Sequence, residues 1–318
     1  MAAERSRFRG MGPALVTPMK KDGSIDLDGV ADHVRFCVEG GVHFLVPCGT
    51  TGESATMDAA EQLQVIERCL DAANGKVPVM AGAGSNSTKD ACARARAAAA
   101  AGAAAVLTVT PYYNKPSPEG LYRHYMAVAD AARVPVFVYN VPSRTGCNVT
   151  AATLLRLAES HELIAGVKEA SGDIQQVMTI IRDRPKDFVV LSGEDHLVYP
   201  MMALGGEGGI TVAGNEVPGP MSQMVEAALA GNWDQARALH YRLLPLLRAN
   251  FLETNPVPVK TALELMGRAP AHFRAPLCEM SAENVEALRR ALEQVGVELR
   301  GSGGSKPERV TASARAGR

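Results

Sequence analysis

The sequence predicts an α/β chain folded as a (β/α)8 barrel with a C-terminal helical extension. Three observations predict it. Eight short β-branched runs recur along the chain, and each is followed by a segment with helix-type start and stop signals. No GxGxxG follows the first run, and no Walker A sequence occurs anywhere. Strands that alternate with helices pair in parallel, which leaves an open doubly wound sheet or a closed barrel. Eight repeats without a nucleotide fingerprint favour closure, and 318 residues suit one barrel of about 250 residues plus an extension.

In chain order the runs are "ALVTP" (14–18), "HFLVP" (43–47), "VPVMAG" (77–82) and "AAVLTVTP" (104–111). They continue as "VPVFVYN" (134–140), "LIAGVK" (163–168), "FVVLSG" (188–193) and "GGITVAG" (208–214). The intervening helices carry their own signals. "DLDGVADHVRFCVEG" and "MDAAEQLQVIERCLDAANG" open on acids and close at glycine, while "STKDACARARAAAAAG" has a Ser/Thr cap and an alanine body. That alanine tract predicts a closely packed helix, since alanine is the best helix former. Three further helical stretches near 221–250, 256–268 and 281–298 fall outside the repeat. The expected organisation is a catalytic barrel over 8–220, a helical extension over 221–298 and a disordered tail over 299–318, whose Gly/Ser-rich start reads as a linker.

Bulk properties narrow the function classes. A formal net charge of -1 argues against broad attraction to nucleic acid or acidic membranes. The six cysteines form no CxxC pair and the histidines no zinc-type spacing, so no metal site is expected. Reduced core thiols, an N-terminus without a long apolar h-region and the lack of a membrane-length apolar run predict a cytoplasmic protein.

Active sites of such barrels lie at the C-terminal ends of the strands. There the second run enters "CGTTGES" (48–54), the fourth "TPYYNKPS" (110–117) and the fifth "YNVPSRTG" (139–146). The sixth ends in Lys168 and the seventh in "SGED" (192–195). A lysine at a strand end has two readings: a side chain that snorkels to water, or an amine held neutral to attack a carbonyl. With a reference pKa of about 10.4, roughly one amine in two thousand is neutral at pH 7. Lowering that pKa to about 7 takes roughly 4–5 kcal/mol, which a partly buried strand end helps to supply. Imine chemistry also needs proton shuttles, for which Tyr139 and Thr50 are candidates. Alternatively Tyr139 caps the core and "GTTG" is an ordinary turn. Arg144 suits a carboxylate clamp or a plain surface position.

The combination "GTTGES", "PYYNKPS", "YNVPSRTG" and "GVKEASGD", in this order, resembles the dihydrodipicolinate synthase family, over about residues 8–297. That family sits within a larger group of Schiff-base lyases that includes N-acetylneuraminate lyase. The resemblance implies a lyase of lysine biosynthesis that condenses pyruvate with aspartate 4-semialdehyde through an imine on Lys168, without a cofactor. It implies Tyr139 as proton donor and acceptor, linked through Thr50 to Tyr113, which in the family reaches a neighbouring subunit's site. Thr51 and the backbone of Ile210 would hold pyruvate, and Arg144 the aldehyde's carboxylate. Gly193 would lie near the site, whereas Glu194 departs from the family's usual aspartate and is assigned no role. The expected assembly is a homotetramer (a dimer of dimers) or at least a homodimer, with no nucleic-acid or membrane partner. Two alternatives remain: a related aldolase of a keto sugar acid or 4-hydroxy-2-oxoglutarate, and an inactive barrel that binds. Around the family's lysine-inhibition site, Asn86, Asp90 and Tyr112 stand at matching places, but Asp90 is one methylene shorter than the usual glutamate, and Ala59 and Gln62 stand where many sensitive members have histidines. Weak or absent feedback by lysine is therefore expected.

Overall fold

In the computed structural model, which describes residues 7–300, seven parallel strands form one curled sheet. They are β1 Gly10–Pro13, β2 Met80–Gly82, β3 Ala105–Val109, β4 Val136–Asn140, β5 Ile164–Glu169, β6 Val189–Ser192 and β7 Gly208–Thr211. Their order is β1-β7-β6-β5-β4-β3-β2, which leaves β1 and β2 as the two edges. Residues 43–47 close that gap. His43 and Val46 donate backbone hydrogen bonds to Met11 and Pro13 on one side, while Leu45 donates to Pro78 and accepts from Met80 on the other. The eighth stave is thus present as two isolated bridges, Ala14 with Val46 and Leu45 with Val79. The result is a closed (β/α)8, or TIM, barrel.

The first strand differs from its expected position at 14–18. β1 is the glycine-rich GMGP stretch just before it, which carries no β-branched signal. Packing explains the composition: a Cβ on Gly12 would stand 2.2 Å from the Phe44 ring. That ring and Phe8, which meet edge-on at 5.6 Å, fill the barrel interior; Phe8 also meets Phe137 at 5.4 Å. Leu107, Val189, Leu191 and Ile210 belong to the same inner cluster.

Helices α1 Leu27–Glu39, α2 Ala59–Ala73, α3 Thr88–Ala100 and α4 Pro118–Ala132 start at side-chain caps. α2 has a full capping box between Asp58 and Glu61. The alanine-rich α3 buries Ala91, Ala95 and Ala98 and packs closely on α4. A single turn, α5 Pro142–Thr145, precedes α6 Ala151–Ser160, α7 Ile174–Asp183 and α8 Val198–Ala203. The helical stretch expected near 221–250 consists of two helices, α9 Pro218–Leu229 and α10 Trp233–Ala249, parted around Gly231 with its left-handed φ of 78°. α9 packs on β1 and supplies the eighth helix of the repeat. The expected boundary at 220 therefore falls inside a barrel helix, and the extension consists of α10, α11 Val257–Leu265 and α12 Ala282–Gln294. Of the tail expected from 299, Leu299 is buried and the Arg300 amide donates to the Leu265 carbonyl at 2.8 Å. Residues 301–318 lie outside the described residues.

Candidate active site

Lys168 sits at the C-terminal end of β5, and its register partner on β4 is Tyr139. Both side chains are only 6% exposed, and the Lys168 Nζ lies 4.3 Å from the centre of the Tyr139 ring. Gly193, at the end of β6, leaves the space that this lysine occupies. A Cβ there would stand 3.0 Å from Lys168 Cε and 2.7 Å from the Ala170 Cβ.

The next residues along the two strands, Asn140 and Glu169, are also register partners. Alternation turns them to the opposite face of the sheet, where they form a buried lock. Asn140 Nδ2 donates to both Glu169 oxygens at 3.2 and 3.0 Å, and Gln176 Nε2 and the Ser171 amide complete the set at 3.2 and 2.7 Å. The Glu169 carboxylate is thus satisfied by neutral donors, and the lock ties together the strand ends that carry Tyr139 and Lys168.

Around the lysine, Thr50, Thr51, Tyr139, Ser143, Arg144, Gly193, Glu194, Val212, Phe251 and Asn255 line one cavity of about 130 Å³. That is small beside the roughly 300–1,000 Å³ of drug-sized sites and suits substrates of a few heavy atoms. Arg144 is presented by α5, whose turn is pinned by Thr145. The Thr145 hydroxyl donates to the Val141 and Cys147 carbonyls and accepts from Thr110 at 3.1 Å, at the end of β3. The threonine loop is fixed from two directions. Thr17 donates to the Gly52 carbonyl at 2.8 Å, and Asn255, from the extension, donates to the Thr51 hydroxyl at 3.0 Å. The buried Lys260 pairs with Glu53 at 2.6 Å in the same loop, and burial pushes its pKa down against the pull of that carboxylate. Lys260 is therefore a structural ion pair that ties the extension to the loop.

Of the residues expected at the site, the structure brings Lys168, Tyr139, Thr50, Thr51, Arg144 and Gly193 together. Ile210 lies in the barrel core on β7, and Val212, two residues on, reaches the cavity wall instead. Tyr113 does not join the cavity. It is 90% exposed with a left-handed φ of 74°. Phe251 and Asn255 were not anticipated. Asn255 is buried with its Oδ1 unpartnered among the described residues; it opens the segment "NPVPVK" (255–260), which by itself indicates no role for it. Nor was a role anticipated for the two acids after Gly193. Asp195 is wholly buried and accepts from the Val212 and Ala213 amides at 2.9 and 2.7 Å. Burial raises its pKa to about 6 against those hydrogen bonds. Glu194 reaches the cavity; burial raises its pKa too, opposed by the charges of Lys168 and Arg144.

An eightfold parallel barrel with a lysine, hydroxyls and an arginine gathered at the C-terminal mouth has the architecture of a barrel enzyme. More particularly, the chain belongs to the dihydrodipicolinate synthetase family, whose model matches residues 7–295. It is 49% identical to a 4-hydroxy-tetrahydrodipicolinate synthase of Pelodictyon phaeoclathratiforme, over 91% of this chain and 97% of that one. It also superposes on the crystal structure of dihydrodipicolinate synthase from Aquifex aeolicus with a TM-score of 0.90 and 40% identity, covering 92% of this chain and 100% of that one. A solved structure described as the first monomeric dihydrodipicolinate synthase variant matches as well, with a TM-score of 0.90, 41% identity, and 92% and 99% coverage. Among the described residues, no helix is long and apolar enough to cross a membrane. Nor does any group of three or more His, Cys, Asp and Glu residues stand ready to hold a metal ion.

Proposed function

We propose that the protein condenses pyruvate with L-aspartate 4-semialdehyde to 4-hydroxy-tetrahydrodipicolinate in lysine biosynthesis. The observation that carries this reading is the buried Lys168, held over the Tyr139 ring in a small cavity that Arg144 also lines. The Lys168 amine attacks the pyruvate carbonyl, and loss of water leaves an imine. That imine is the electron sink for removing a methyl proton, so the chemistry calls for no separate cofactor. The resulting enamine attacks the aldehyde carbon, and the substrate's own amine then attacks the imine carbon and frees Lys168.

On this reading Tyr139 moves protons at the imine, with Thr50 and a neighbouring subunit's Tyr113 as the relay. Thr51 holds the pyruvate carboxylate, the Ile210 backbone contacts pyruvate, and Gly193 keeps the lysine's path open. Arg144 takes the carboxylate of the aldehyde by a charge-assisted contact. The exposure of Tyr113 suits a side chain shared across an assembly, which on this reading is a homotetramer (a dimer of dimers) or at least a homodimer. Cytoplasmic location accords with such a biosynthetic role. Borohydride reduction with pyruvate, followed by peptide mass analysis, tests the reading. The expected adduct is on Lys168; a label elsewhere, or none under turnover conditions, would overturn it.

A further inference from the structure

Among the described residues, Glu194 is the one acid of the cavity wall, and its carboxylate has no hydrogen-bonding partner there. Its backbone is fixed by Ser192, whose hydroxyl donates to the Glu194 carbonyl at 2.8 Å and accepts from its amide at 3.3 Å. The neighbouring Asp195 has both oxygens committed to the amides after β7. Glu194, by contrast, takes no side-chain hydrogen bond or salt bridge among the described residues, yet it lies within electrostatic reach of Lys168 and Arg144. A half-buried carboxylate without a hydrogen-bonding partner is costly.

The charge changes during the reaction show what would complete it. This step rests on the pyruvate–aldehyde reading proposed above. Once Lys168 has become a neutral enamine, Glu194 loses that cation. Once Arg144 is engaged by a carboxylate, Glu194 loses its second. The molecule that arrives at this stage carries a carboxylate and an ammonium on one carbon. We infer that Glu194 and Arg144 form a zwitterion subsite, in which Glu194 faces the α-ammonium of the aldehyde substrate while Arg144 takes its α-carboxylate. A keto sugar acid or other aldehyde acid without the ammonium leaves Glu194 unpaired and is disfavoured. Glu194 is thereby a specificity-determining residue for an amino-acid aldehyde.

Two aldehydes that differ only in the ammonium provide the test: aspartate 4-semialdehyde and succinic semialdehyde. Single-turnover capture of each aldehyde by the pyruvate-loaded enzyme, a step that needs no amine to free Lys168, is measured as a second-order rate constant for the full-length enzyme and for Glu194→Gln, which removes charge but keeps size. The preference for the aminated aldehyde should fall at least about tenfold, equivalent to about 1.4 kcal/mol. Glu194→Asp, which keeps the charge, should retain most of the preference. A preference within about twofold of the parent in Glu194→Gln, or one lost equally in Glu194→Asp and Glu194→Gln, would overturn the subsite. Borohydride trapping of pyruvate on the same preparations separates the two levels. Failure to trap on Lys168 in the parent overturns the pyruvate reading, whereas trapping with an unchanged preference overturns only the role of Glu194.

Discussion

Lys168 reaches the cavity because the residue across from it has no side chain. A methyl group on Gly193 would meet Lys168 Cε at 3.0 Å and the Ala170 Cβ at 2.7 Å, closer than such atoms pack. Overpacking of this kind costs about 1–3 kcal/mol, and here the flexible partner is the nucleophile. Gly193→Ala should therefore slow borohydride trapping of pyruvate by about tenfold or more while the chain stays folded; an unchanged trapping rate would show that the lysine has another route to the substrate. At this scale much of the site was legible. Lys168, Tyr139, Thr50, Thr51 and Arg144 stand at strand ends or on the loops after them, where a barrel puts its chemistry. Asn255 was not legible, because it arrives from a segment about two hundred residues away from the Thr51 it contacts, a relation that only the fold creates.

Between elements, the joint of α9 and α10 with the barrel holds a buried acid. Glu216, just after β7, accepts from Asn250 Nδ2 at 2.7 Å, at the end of α10. Its other oxygen and the Asn250 Oδ1 have no partner among the described residues. A proton on Glu216 gives this acid–amide pair the donor it lacks, and burial holds the carboxyl's pKa well above the ordinary range. The stabilisation that this proton provides is complete below the ordinary carboxylate pKa and is lost as pH rises through the raised, folded-state value. Glu216→Gln carries its donor at every pH. The stability of Glu216→Gln relative to the parent should thus grow between about pH 5 and about pH 8, measured by urea unfolding; a pH-independent difference would mean that Glu216 is ionised in its buried site. The alternating pattern gave away most strands but not the barrel's first edge. β1 is built from glycines so that Phe8 and Phe44 can fill the interior, and the stave at 43–47 is held by two isolated bridges. The glycines of β1 leave no β-branched signature, whereas the stave is legible as the run "HFLVP" over the same residues.

Across the whole molecule, the groove between α2 and α3 bears on regulation. Its walls are mainly aliphatic, from Ala59, Leu63, Ile66 and Ala97, and Asp90 faces it together with Arg94. A lysine bound here would bring its ammonium toward a single carboxylate already accompanied by a guanidinium, at a position where Ala59 and Gln62 offer no imidazole. Feedback by lysine should accordingly be weak: an initial-rate titration with half-inhibition below about a millimolar, or binding better than roughly -4 kcal/mol, would contradict this. Eightfold repetition made the barrel architecture legible, whereas the division of 221–250 into a barrel helix and an extension helix was hidden because both segments are helical and only a glycine turn parts them. The reach of that extension into the threonine loop, through Asn255 on Thr51 and Lys260 on Glu53, has a consequence for how the enzyme is made. During synthesis Lys168 emerges from the ribosome well before the segment that steadies Thr51. A nascent barrel can hold its nucleophile while the cradle for the substrate is still incomplete, so competence for chemistry waits until residues 255–260 have been made.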